Sequence, residues 1–146
     1  MESFPESPGR EEREAMATTE IPLRGVVADH IRAVNAFDVD AIMATFAPDA
    51  YVNDNRREIR GAAAIRRWVE KEMVGEHVTV EPVKVLDHYG DVVVRGRYDG
   101  DYDKSGLPEE LIMSNYFAIR DDRIVSLTVV FNQASEYEYG DGTDAA

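Results

Sequence analysis

No cysteine occurs anywhere in the 146 residues, which excludes disulfides, thiolate catalysis and Cys-built metal sites. Cations are scarce: 16 Lys and Arg face 29 Asp and Glu, for a formal charge of -13. Nucleic acid and anionic membranes both require basic patches, and the few cations are dispersed among carboxylates, so neither partner is expected. No apolar run is long enough to span a membrane, and the first residues lack the basic start and apolar core of a secretory signal. A cytoplasmic protein is the expectation. A phosphate loop, a dinucleotide fingerprint and a serine elbow are likewise missing.

What is present is a 44% hydrophobic chain of a length suited to one domain with one core. Residues 1–20 carry Pro5, Pro8 and an Arg-Glu run with almost nothing to bury, so they read as a disordered acidic leader. Residues 135–146 read as a flexible acidic tail, leaving 21–134 as the folded domain.

Within it, Val27, Ile31, Val34 and Phe37 recur at three- and four-residue steps, an amphipathic helix with His30 on its apolar stripe. Asp38 suits the N-cap of a second helix, Val39 to Phe46, which Pro48 keeps from continuing. A strand then carries Asp54 on the face of Val52 and Ala50, because side chains alternate. Gly61 begins a third helix, ended by Gly75, with Ile65, Trp68, Val69 and Met73 inward. The rest is strand-like: Val78 to Leu86 with a break at Pro82, Val92 to Tyr98, Glu109 to Arg120, and Ile124 to Phe131. Inward positions change phase across Pro82, which suggests a bulge and a bent sheet. The predicted class is α+β, with helices on one side of a curved, mainly antiparallel sheet.

Three polar residues interrupt apolar faces: His30 on the first helix, Asp54 on its strand, and Asn115 among Leu111, Met113, Phe117 and Ile119. An inward carboxylate must be paired, hydrogen-bonded or wet, so Asp54 implies a polar pocket or a partner. Together the three fit a carboxylate base opposed by two hydrogen-bond donors, as proton abstraction next to a carbonyl requires. A buried His-Asp pair with an amide is equally a way to satisfy a polar core. His77 and His88 lack the spacing of a metal pair, and Asp99, Asp101 and Asp103 read as a solvated loop, so no metal is expected.

Four segments carry a family resemblance: Phe37-Asp-Val-Asp-Ala-Ile-Met43, Phe46-Ala-Pro-Asp-Ala50, Arg60-Gly-Ala-Ala-Ala-Ile65 and Arg123-Ile-Val-Ser-Leu127. With the element order, they resemble the nuclear transport factor 2-like superfamily, in its SnoaL-like and ketosteroid isomerase-like branch, over residues 23–133. The resemblance implies a cone-shaped fold of three N-terminal helices on a curved sheet around an apolar cavity. It also implies that Asp54 stands at the general-base position of ketosteroid isomerase, while His30 and Asn115 stand where that enzyme has its two oxyanion donors.

The combined reading is a cofactor-independent isomerase, cyclase or dehydratase acting on a small apolar, carbonyl-bearing molecule. Asp54 is the expected base and His30 and Asn115 the expected donors, with Phe37, Trp68, Met113, Leu127 and Phe131 lining the cavity. The alternative is a non-catalytic module for ligand binding or dimerisation. An outer sheet face carrying Tyr116 and Val130 is expected to join two copies as a homodimer.

Overall fold

The computed structural model describes residues 18–131. Its elements are β1 (Thr18–Glu20), α1 (Gly25–Asn35), α2 (Val39–Ala44), β2 (Phe46–Asp54), β3 (Arg57–Arg60), α3 (Ala62–Trp68) with a π-helical continuation (Val69–Val74), β4 (Thr79–His88), β5 (Asp91–Asp99), β6 (Leu111–Arg120) and β7 (Arg123–Phe131). The expected leader up to residue 17, the tail and the boundary at 134 lie outside the described residues. Residues 18–20, assigned to the leader from sequence, instead form β1, paired with Leu86 to His88 of β4. Backbone groups drive that pairing, and a polar composition does not prevent it.

One seven-stranded sheet, ordered β1-β4-β5-β6-β7-β2-β3, makes up the expected α+β architecture. All neighbours are antiparallel except β2 and β7, which run parallel. Two-residue turns at Asn55-Arg56, Tyr89-Gly90 and Asp121-Asp122 have positive φ at both positions, the geometry that matches strand twist in a tight hairpin. The first of these turns creates β3, which the sequence reading missed. Gly61, at φ 87, then turns the chain into α3, a conformation that other residues enter only under strain.

Register shifts interrupt three pairings, and each extra residue adds local bend and twist. One falls between Pro82 and Lys84, where the phase change predicted it. A second, in β2, lies between Phe46 and Tyr51 and leaves Pro48 and Asp49 exposed, so the proline's missing N–H breaks no ladder. Helix α2 therefore stops at Ala44, and Phe46, expected as its last residue, opens β2. The third passes from the Ala118–Ser126 pair to Ile119–Ile124 and leaves Val125 unpaired. Ile124 is fully buried, and Val125 beside it is only half-buried.

The core joins Val27, Ile31 and Val34 of α1, Ile42 of α2, and Ile65 and Val69 of the third helix to Val52, Val94, Phe117 and Leu127 of the sheet. Asp38 caps α2 as expected, its carboxylate accepting from the Ala41 N–H at 3.0 Å. Asn35 closes α1 against β4: its amide donates to the Val80 carbonyl at 2.9 Å, and its oxygen accepts from the Val80 N–H at 2.7 Å. Strand β1 does not extend to Val80, so this side chain supplies both bonds of a missing neighbour strand. Replacing it leaves a donor and an acceptor of a buried strand residue unpaired. Asn35→Ala is expected to lower stability by about 1–3 kcal/mol in denaturant unfolding; a change within error would show that water substitutes fully.

Candidate functional site

Helix α1, the α3–π helix and the inner face of β2, β5, β6 and β7 enclose a pocket of about 450 Å³. His30, Asp54 and Asn115 all line it, as do Trp68, Met113, Leu127 and Phe131. Phe37 does not. The chain turns left-handed there, at φ 57, and the ring sits outside against His77 at a centroid distance of 5.2 Å, 37% exposed. Its place in the helical period was legible; the end of α1 at Asn35, which removes it from that period, was not.

Asp54 ends β2 beside Val52, and its carboxylate is 19% exposed. Its Oδ2 accepts from Arg57 at 2.8 Å and from the Trp68 indole N–H at 3.1 Å. Its Oδ1 receives only the Asn55 amide at 3.4 Å. Arg57 also grips Glu72 of the π segment through two bonds, of 2.8 and 2.6 Å. Those bonds, then the one to Asp54, push the guanidinium still further up from its ordinary value. Because Arg57 is half exposed, the bridge contributes little stability, yet its fork geometry fixes the orientation of both carboxylates. Glu72 and Met73, from the wide π turn, reach the pocket as well, and such turns recur at functional sites.

His30 has no bond to Asp54. Its Nδ1 lies 2.9 Å from the Thr45 hydroxyl, which donates its own proton to the Ile42 carbonyl at 2.6 Å. A hydroxyl has one proton to give; with that proton assigned to the Ile42 carbonyl, Nδ1 carries the hydrogen and Nε2 is left as an acceptor. The ring is 3% exposed, set edge-on to Phe46 and Phe117, and burial lowers its pKa to about 4. The imidazole is neutral at pH 7. Sequence reasoning made it a donor or an aspartate partner; the Thr45 contact, across an intervening helix, reverses that polarity.

Asn115 is similarly committed. Its amide donates to the carbonyls of Val94 at 3.2 Å and Met113 at 3.4 Å, while its oxygen accepts the Tyr98 hydroxyl at 2.6 Å. The donor expected at this position is thus spent on backbone, and the polar atom delivered to the pocket wall is the phenol of Tyr98. Burial pushes that phenol up; the bond to Asn115 opposes the rise, and the charges of Asp54 and Tyr102 add to it. Tyr98, Tyr102, Glu72 and Glu76 all line the pocket without having been singled out from sequence. Tyr98 closes the strand expected to end there, so its strand position was the available signal.

The neutral histidine links stability to pH. Above pH 6.5 neither state holds its proton; between 6.5 and about 4 only the unfolded chain does, so stability falls as pH drops through that interval and levels below it. At about 1.4 kcal/mol per pH unit, the loss amounts to about 3 kcal/mol. Denaturant unfolding of wild type and His30→Gln from pH 7.5 to 4 is expected to show a difference that shrinks by this amount. A difference independent of pH would mean that His30 protonates as easily folded as unfolded.

No protein of curated function matches this sequence. Among solved structures, a candidate polyketide cyclase from Sinorhizobium meliloti is 29% identical, with 71% of this chain and 92% of that one covered at a TM-score of 0.64. The epoxide hydrolase/cyclase-like enzyme SalBIII, of pyran ring formation in the polyether salinomycin, is 25% identical over 74% of this chain and 88% of its own, also at 0.64. A Catenulispora acidiphila protein with a ketosteroid isomerase-like fold, solved with trimethylamine, shares 20% identity over 75% and 87% at a TM-score of 0.63, a likeness of fold. The SnoaL-like domain model matches residues 27–127, and with the sheet order and helices described above this chain belongs to the SnoaL-like domain family.

Proposed function

We propose that the pocket is an isomerase- or cyclase-type site in which Asp54, without a cofactor, removes a proton next to a carbonyl group of a small apolar substrate. The asymmetry of the Asp54 carboxylate carries this reading: Oδ2 is anchored by Arg57 and Trp68, while Oδ1 has one long contact on a largely apolar pocket wall. An oriented carboxylate with a free oxygen suits a general base. Tyr98 replaces His30 and Asn115 as the donor. Its raised pKa keeps the phenol protonated, and a rotation of the O–H away from Asn115 aims it at a developing enolate oxygen. The cyclase names of two neighbours support the reaction class.

The committed amide of Asn115 favours a second reading, a binding module without turnover. Deuterium exchange at the α-carbons of 2-tetralone, followed by NMR, separates the two. Wild type is expected to accelerate exchange, Asp54→Asn to lose about 100-fold or more, and Tyr98→Phe about tenfold or more. Exchange undiminished in Asp54→Asn would sink the aspartate base, and ketone binding without exchange in wild type would select the binding module.

We also propose that two copies pair through the outer sheet face. Tyr116, 45% exposed, and Val130, 38% exposed, share that face across β6 and β7. Light scattering at tens of micromolar, a working range for moderate affinity, is expected to return a dimer mass; a monomer mass would refute the pairing.

A further inference from the structure

We infer that His30 is a specificity residue that reads a hydroxyl group on the ligand, its Nε2 accepting the O–H from within the pocket. It rests on the reading of this pocket as a ligand site, and it adds a substrate class: an apolar molecule carrying a free hydroxyl as well as the carbonyl.

The argument starts from an unpaired atom. Thr45 gives its proton to Ile42, so His30 must give its own to Thr45, and the lone pair of Nε2 remains. Among the described residues no protein group donates to it, although the ring is 3% exposed. Buried polar atoms without partners are rare in folded proteins because each loses its bond to water without gaining another. The ring borders the pocket, so a ligand can supply the missing donor.

The polarity of the site decides the chemistry. Nε2 is an acceptor, and the nearby walls, Ile31, Val34, Phe117 and Leu127, offer no donor of their own. A ligand carbonyl or ether placed here would set lone pair against lone pair. An ammonium is better placed elsewhere: no carboxylate acts on the ring, whereas Asp54, Glu72 and Glu76 line other parts of the same pocket. A neutral O–H meets both conditions. A site built around a hydroxyl rejects analogues lacking it more strongly than an apolar wall can.

The test compares 2-naphthol with 2-methoxynaphthalene, the same ring system with and without the proton, by fluorescence titration. Wild type is expected to bind the naphthol about tenfold more tightly, the effect of one well-placed hydrogen bond. His30→Leu is expected to bring the ratio near one. Thr45→Val, which frees Nδ1 and the choice of tautomer, is expected to erode the preference while keeping the ring. Nitrogen NMR of the free wild-type protein is expected to show Nδ1 protonated, with the Nε2 resonance moved by the naphthol and not by the ether. Equal affinities, a protonated Nε2 in the free protein, or failure of both probes to bind at millimolar concentration would each overturn the inference. A preference retained in His30→Leu and lost in Asp54→Asn would assign the hydroxyl to Asp54; the inference would then fall while the proton-transfer reading stood. Absence of ketone exchange with the naphthol preference intact would remove the reaction and leave His30 in its role.

Discussion

The Thr45 hydroxyl has one proton, and its donation to the Ile42 carbonyl at 2.6 Å sets the chemistry at the α1 wall of the pocket. Helix α2 ends at Ala44, where the Ile42 carbonyl accepts the Thr45 backbone N–H at 3.1 Å as well as the Thr45 hydroxyl. That same bond obliges the hydroxyl to accept from His30, which keeps the imidazole in one tautomer and directs its lone pair elsewhere. The apolar surroundings that make an unsatisfied atom costly also lower the pKa of the ring and keep it neutral.

The opposite wall follows the same economy of polar groups. Asn115 spends its donors on two carbonyls and its acceptor on Tyr98, and so acts on the pocket through the phenol it orients. Asp54 is anchored across the β2–β3 turn by Arg57, which also binds Glu72 of the π segment, and from the helix side by Trp68. Each of the three polar residues is held by a neighbour of a different element. The pocket lining therefore combines the His30 ring and the Asp54 carboxylate with the hydroxyl of Tyr98.

Much of the fold was legible in the chain. Helical periodicity located α1 and the third helix, Asp38 marked the start of α2, and the phase change at Pro82 marked a bulge that the register bears out. The misreadings share a cause. β1, the β2–β3 hairpin and the early end of α2 all depend on strand pairing with distant residues, which local pattern does not contain. The π segment is a further case, since its sequence continues an ordinary helical stripe.

For the site, alternation and periodicity were enough to select His30, Asp54 and Asn115 as polar residues on inward faces, because a side chain's face is a local property of helix or strand. The sequence by itself thus determined the class of the fold, most of the expected apolar wall and three of the polar residues that enter the pocket, while Glu72, Glu76, Tyr98 and Tyr102 entered it unselected and Phe37 stayed outside. Their hydrogen-bond partners were decided only by the tertiary structure: Thr45 for His30, Arg57 and Trp68 for Asp54, Tyr98 for Asn115. Donor or acceptor character depends on where a proton already sits, and that is settled by a neighbour brought close in space rather than by the residue's own place in the chain.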